Sequence, residues 1–321
     1  MIDYGPLVEL AVVATLMVVV FSLLMSRYHP AFVNLVVLLS IAITAIIYSI
    51  LMNLSILELF CFLWRIVFNS ERSRYFLLIF WVCNVLASVG FGIFVNAIGR
   101  SSTIHRKFFH LTVSMIYLSG IRYDHDFVWL CGWLMFCMFV IVEVLRFFEV
   151  PPWEQVLNNF LLAMKDEQDS AVLLTPIFLL LGVFLPLFLS PNEQSPHLYH
   201  LAGVAAIGVG DSVAAIVGSQ WGKTKWPRRK KTVEGTTAMA AATTIFLLLA
   251  RPFCAPPLPS CAHIVFVSLI LSAVEAVTVN VDNIVLPSCW LFSIVAIRIN
   301  HFLGLIKFVN VNVVCTVMIN A

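Results

Sequence analysis

The sequence predicts an all-α protein: a polytopic transmembrane helical bundle of about ten helices with no soluble domain. Composition is the first reason. Of the 321 residues, 61% are hydrophobic and only 11% are charged, whereas a soluble domain carries about 25% charged residues. That much apolar surface cannot be hidden in one aqueous core, so lipid must be part of the solvent. The second reason is the length of the apolar runs. Crossing the hydrocarbon core takes about 20 residues at a rise of about 1.5 Å each, and runs of that order recur along the whole chain. No internal repeat or low-complexity tract interrupts them.

In chain order the candidate spans are 7–25, 31–54, 76–98, 108–121, 127–147, 172–190, 198–217, 236–250, 263–282 and 286–308, the fourth and eighth being short. The first carries Asp3 and Glu9 where a cleaved signal would have a basic leader, so it is expected to remain as a helix. The eight cysteines, at 61, 83, 131, 137, 254, 261, 289 and 315, show no metal-ligand spacing and read as buried thiols. Loop charge sets the orientation. Loops after the odd-numbered spans hold twelve Lys and Arg, six of them between Lys223 and Lys231, and loops after the even-numbered spans hold five. The odd loops are therefore expected on the cytoplasmic side. That choice gathers 100–110, 146–170, 218–235 and the end of the ninth span on one face. The net charge of +2 gives no reason to expect nucleic acid, because the cations are confined to a few loops.

The most informative stretch is 207–237. It joins Gly208-Val-Gly210-Asp211, a basic run from Lys223 to Lys231, and Thr232-x-Glu234-Gly235-Thr236. An acid at membrane depth is expensive and normally has a task or a partner. Asp211 is a possible ligand for a divalent metal whose shell is completed by phosphates. Gly208 and Gly210 would let backbone approach a ligand closely. Arg228, Arg229, Lys230 and Lys231 suit a triphosphate, and Thr232, Gly235 and Thr236 add donors where a helix begins. Plainer readings stand beside these. Gly210, Ala214 and Gly218, spaced by four, are also a helix-packing stripe, and a basic run at a membrane edge can simply be an anchor. A phosphate-binding P-loop is excluded, because Gly218 and Gly222 are separated by three residues rather than four and follow a membrane helix. A dinucleotide fingerprint is excluded because Val213 stands where its third glycine would be.

Three further clusters carry polar chemistry. Arg106, Lys107 and His110 fall on one helical face, suited to phosphate contact and proton transfer or to anchoring at the interface. Asp166, Glu167 and Asp169 precede a helix, where Asp169 or Ser170 as a cap is the simplest reading and metal or substrate binding the sharper one. Glu275, Thr278 and Asp282 have the spacing of one helical face, with Glu275 about two turns inside the ninth span. Glu143, three residues before Arg146, reads as a local pair.

The matching motifs are Arg106-Lys107-x-Phe109-His110, Asp166-Glu167-x-Asp169-Ser170, Gly208-Val-Gly210-Asp211-Ser212-Val-Ala214, Trp226-Pro227 through Lys231-Thr232-x-Glu234-Gly235-Thr236, and Glu275-Ala-x-Thr278 with Asp282-Asn283. In these, and in their order, the sequence resembles the dolichol kinases within the wider group of polyprenol kinases and CTP-dependent lipid kinases. The resemblance covers roughly residues 100–290. It divides the chain into N-terminal membrane helices (1–99), a catalytic membrane domain (100–290) and an atypical C-terminal helix and tail (291–321).

The resemblance implies an endoplasmic reticulum enzyme with its site facing the cytoplasm, which phosphorylates the polyisoprenoid alcohol dolichol in support of protein glycosylation. CTP would be the donor and Mg²⁺ or Ca²⁺ the cation. Gly208, Gly210, the cations 228–231, Thr232, Glu234, Gly235 and Thr236 would form the CTP site. Asp211, Glu275, Asp282 and His110 would serve catalysis, with Arg106, Lys107, Asp166 and Asp169 in support. The chain is short for this family, which implies missing N-terminal helices. Its end, with Arg298, Asn300, His301 and Lys307, departs from the family's apolar ending. Alternatives are a kinase for phytol or diacylglycerol, a cytidylyltransferase that makes a CDP-lipid, and, outside enzymes, a membrane transporter.

Overall fold

The structure is a computed structural model, and it describes residues 4–25, 30–68, 72–98, 103–162, 172–190, 195–227, 229 and 231–278. Eleven α-helices are present among them: α1 (Gly5–Met25), α2 (Ala31–Leu51), α3 (Ile56–Phe68), α4 (Arg72–Ile98), α5 (Thr103–Tyr123), α6 (His125–Phe147), α7 (Glu154–Leu162), α8 (Thr175–Leu189), α9 (Ser212–Trp221), α10 (Val233–Ala250) and α11 (Cys261–Val277). Short 3₁₀ turns occupy Leu198–Leu201 and Arg251–Phe253, and a π-helix runs from Val204 to Asp211. No strand occurs among the described residues. Among the described residues six stretches are long and apolar enough to cross a membrane: Gly5–Met25, Ala31–Leu51, Arg74–Val95, His125–Phe147, Leu198–Trp221 and Val233–Phe253. Thr175–Leu189 and Cys261–Val277 are shorter apolar helices.

The distribution of side chains is the reverse of a soluble protein's. Ile50 and Phe76 are 68% and 73% exposed, whereas His110, Glu143, Asp211 and Glu275 are buried. Lipid removes the penalty on the first group and imposes one on the second, so apolar residues face out and charge is paired inside. The same inversion corrects the reading of the cysteines as buried thiols. Cys61, Cys83 and Cys261 are exposed, and Cys137 is buried. Cys254 and Cys261 are both free thiols.

The chain forms two compact units, one from residues 1–101 and 119–177, the other from 102–118 and 178–321. In the first, α1, α2 and α6 pack through a cluster of Val18, Val33, Val144 and Val150. Asn34 ties this cluster to the turn after α6: its Nδ2 donates to the Pro151 carbonyl at 2.8 Å, and its Oδ1 accepts from Trp153 Nε1 at 3.2 Å. Asp124 caps α6 by accepting from Phe127 N. It is also paired with Arg74, whose guanidinium lies over the Phe127 ring. Glu143 and Arg146 form the expected local pair at 2.5 Å, and Glu143 Oε1 also accepts from Leu173 N at 2.7 Å.

Two helices fall in segments that the sequence reading leaves as loops. One is α7, and the other is α3, which at 13 residues spans only about 20 Å. A reciprocal capping box starts α3: Ser55 N donates to Glu58 Oε2 at 2.7 Å and Glu58 N to Ser55 Oγ at 3.3 Å. The Ser-x-x-Glu spacing before an apolar run is the sequence signal for it. Hydrogen bonding from Ser55, its amide first, holds the exposed Glu58 carboxyl below its ordinary pKa.

Candidate active site

The polar clusters of the second unit meet on the π-helix and on the loop after α9. Residues 103–118 of α5 belong to this unit and run antiparallel to the chain from 200 to 211. Three contacts fix the register. Lys107 and Asp211 form an ion pair at one end. Ser114 faces Gly208 in the middle, and Tyr117 donates to the His200 carbonyl at 2.8 Å at the other end. Lys107, His110, Ser114 and Tyr117 are spaced by three, four and three, which is one face of an α-helix.

Asp211 is the centre of the site. Its Oδ2 accepts from Lys107 Nζ, and His110 Nδ1 lies 3.4 Å from the same oxygen. Lys107 and Asp211 have side chains 12% and 11% exposed, so the pair is largely withdrawn from solvent. Such a pair balances a large desolvation penalty, and removing one partner leaves a costly charge behind. The π-helix that carries Asp211 is itself unusual, since π turns are rare and concentrate at functional sites. Among the described residues no group of three or more His, Cys, Asp or Glu side chains converges as a metal cage.

The two glycines before Asp211 admit neighbouring helices. A Cβ on Gly208 would sit 2.2 Å from Ser114 Oγ. A Cβ on Gly210 would sit 2.7 Å from Thr243 Cγ2 and 3.1 Å from Met239 Cε on α10. The spacing-by-four stripe continues the packing, with Gly218 and Gly235 facing each other across α9 and α10.

The Thr-x-Glu-Gly-Thr motif builds the start of α10 and folds the basic loop against it. Thr232 is the N-cap, its Oγ1 accepting from Gly235 N at 3.2 Å. Glu234 reaches back across the loop, and its carboxylate accepts from Thr224 N at 3.0 and 3.2 Å. Trp226 Nε1 donates to Thr236 Oγ1 at 3.0 Å, and Thr236 Oγ1 donates to the Thr232 carbonyl. Backbone bonds from Trp226 N to Lys231 O and from Val233 N to Thr224 O close the hairpin. Thr232, Glu234 and Thr236 thus already use their polar atoms to hold the loop. Thr232→Ala is expected to destabilise the chain by about 1 kcal/mol, and Glu234→Gln to loosen residues 222–232. Faster hydrogen–deuterium exchange confined to that loop and the first turn of α10 is the measurement.

Lys231 is engaged at the other side of the loop. Its Nζ lies 2.9 Å from Glu275 Oε1 and donates to the Glu275 carbonyl at 2.6 Å. A cation on the last turn of a helix meets both its carboxylate and the negative end of its dipole. This also corrects the expected helical setting of Glu275 and Thr278. α11 closes at Val277, and Thr278 is its extended C-cap, donating to the Val274 carbonyl. Glu275 therefore lies in the final turn of the helix and not two turns inside a longer one. Arg229 is half-buried in the loop and Arg106 is half-buried on α5. Arg228, Lys230, Asp166, Asp169 and Asp282 lie outside the described residues. Ser114 carries no conspicuous chemistry in the sequence; its position one turn after His110 on the same face is the signal that marks it.

No family model and no solved structure matches the chain significantly. Curated proteins do. The chain is 34% identical to a dolichol kinase of Homo sapiens over 245 residues, which is 70% of this chain and 46% of the relative. It is 32% identical to a dolichol kinase of Arabidopsis thaliana over 244 residues, 70% of this chain and 41% of the relative. A dolichol kinase of Saccharomyces cerevisiae matches at 26% over 194 residues. The chain spans about half the length of the curated relatives it matches, and over seven-tenths of its own length it is similar to dolichol kinases.

Proposed function

We propose that the chain carries out, or carries the site for, CTP-dependent phosphorylation of dolichol to dolichyl phosphate, in support of protein glycosylation. The observation that carries this reading is the convergence of Lys107 and His110 on the buried Asp211 in a chain similar to dolichol kinases. Residues 100–290 form the catalytic membrane domain in this reading. The site lies on the cytoplasmic face of the endoplasmic reticulum membrane, as the loop charges favour.

In the reaction the dolichol hydroxyl oxygen attacks the γ-phosphorus of CTP. The bond from that phosphorus to the β-γ bridging oxygen breaks, and CDP leaves. Transfer of this kind is mostly positioning and charge neutralisation. Arg228, Arg229 and Lys230 bind the triphosphate on a loop that Thr232, Glu234 and Thr236 hold in shape. Lys231 fastens that loop to Glu275 on α11 and lies at its phosphate-binding edge. Asp211 orients the alcohol and, with His110, takes the hydroxyl proton. Lys107 holds the Asp211 carboxylate in place, and Arg106 adds positive charge on the same helix. Asp166, Asp169 and Asp282 are supporting acids.

A divalent cation, Mg²⁺ or Ca²⁺, fits this site as an ion that arrives with the nucleotide. The site offers Asp211 as one carboxylate, and Mg²⁺ is commonly held by one or two carboxylates together with substrate phosphates. When bound, it neutralises phosphate charge. Mn²⁺ titrated into the protein and followed by electron paramagnetic resonance is therefore expected to bind with CTP present and not without it.

The test of the reaction uses the protein in lipid with CTP labelled on the γ-phosphate, offering dolichol, phytol and diacylglycerol separately. Label on dolichol with release of CDP is the expected result. Label on another alcohol changes the substrate. Release of pyrophosphate indicates a cytidylyltransferase instead, and label on no lipid overturns the reading for this chain.

A further inference from the structure

We infer that Gly208 is a positioning residue: its missing side chain sets how closely α5 approaches the π-helix, and that approach is what brings Lys107 and His110 onto Asp211. The geometry is specific to two positions. A Cβ on Gly208 would fall 2.2 Å from Ser114 Oγ and 2.9 Å from Ser114 Cβ, with Val204 Cγ1 next at 3.4 Å. Separations under 3.0 Å between such atoms do not persist, so α5 would have to withdraw or turn. Ser114 cannot give way readily. It is only 3% exposed, and turning its hydroxyl to another rotamer leaves its Cβ, fixed to the α5 backbone, still 2.9 Å away.

Withdrawal at this point would be felt at Asp211. Gly208 and Asp211 are three residues apart on the π-helix, and Ser114 is four and seven residues from His110 and Lys107 on α5. The Lys107 contact with Asp211 is direct, whereas His110 stands at 3.4 Å, already near the limit of a useful interaction. A small displacement therefore loosens both contacts together. Ser114 Oγ makes no hydrogen bond among the described residues, so its role at this contact is one of size. This assignment differs from the nucleotide contact that the family resemblance implies for the same glycine. Its consequence for turnover rests on the kinase reading; its consequence for geometry does not.

The test compares Gly208→Ala with the double variant Gly208→Ala/Ser114→Gly, in which both offending Ser114 atoms are gone. Ser114→Gly alone controls for the weakening that an added helix glycine causes. In each background, Lys107→Met and Asp211→Asn are combined in a double-mutant cycle on the thermal midpoint of the lipid-reconstituted protein. The wild-type background is expected to show coupling between Lys107 and Asp211. Gly208→Ala is expected to lose that coupling, and Gly208→Ala/Ser114→Gly to regain it. If Gly208→Ala yields no folded protein, recovery of a folded, coupled protein in the double variant supports the inference equally. Coupling that persists in Gly208→Ala overturns the inference, and so does a double variant no better than the single.

Turnover adds a second readout. A misplacement of about 1 Å lowers turnover by on the order of 10²-fold, so kcat should fall by about that factor in Gly208→Ala, with little change in KM for CTP, and return with Ser114→Gly. A raised KM with kcat intact, unmoved by Ser114→Gly, would mean direct nucleotide contact and would overturn it. A wild-type chain that labels no lipid sinks the kinase reading alone, because the melting cycle still decides the role of Gly208.

Discussion

Asp211→Asn is expected to lower phosphoryl transfer by a factor on the order of 10³ or more while the chain still folds and inserts. The substitution keeps the size and planarity of the side chain and removes only its charge, which leaves Lys107 without its anion, so a lowered melting midpoint is expected beside retained folding. Packing around it is therefore conserved: Gly210 still admits α10, and the π-helix keeps its path. What is lost is the anion that faces Lys107 and His110. In the proposed reaction that anion orients the alcohol, shares its proton and meets the incoming cation, so no other described side chain replaces it. The check is label transfer from γ-labelled CTP beside size-exclusion behaviour and the melting midpoint of the same preparation. Turnover near that of the unmodified chain would remove Asp211 from the mechanism.

Lys107→Met is expected to destabilise the chain by about 3 kcal/mol or more, because it leaves the Asp211 carboxylate buried without its cation. Methionine keeps much of the aliphatic length of lysine, so the loss reports on charge more than on packing. His110 remains near Asp211 and offers partial compensation only as an imidazolium, so the loss should shrink as the medium is acidified. Adding Asp211→Asn to Lys107→Met should recover most of the stability, since two neutral groups of similar shape replace a broken pair. Activity should stay absent in the double variant. This contrast between recovered folding and lost turnover separates the structural role of the pair from its chemical one. If Lys107→Met melts like the unmodified chain, the ion pair does not form in the membrane.

How much of this is legible in the chain alone differs from element to element. The fold class follows from the length and composition of the apolar runs, because only helices satisfy every backbone group inside hydrocarbon within one segment. Most helices are therefore visible, while α3 and α7 are not: both are too short to span, and a search for runs of about 20 apolar residues passes over them. The individual site motifs are visible as well, because an acid, paired glycines and a dense cationic run are conspicuous against an apolar background.

What the chain could not announce was which of these groups face each other. Lys107 and Asp211 are 104 residues apart and Lys231 and Glu275 are 44 apart, and no periodicity relates such positions. The tertiary structure paired Lys107 with Asp211, gave Lys231 to the end of α11 and spent the hydroxyls of Thr232 and Thr236 on capping and loop closure. It also turned Gly208 and Gly210 toward neighbouring helices. The physical reason is that sequence spacing fixes which residues share a face of one helix, while the choice of partner depends on how helices pack. In lipid that packing is governed by small residues that let backbones close and by buried charges that must find their opposites.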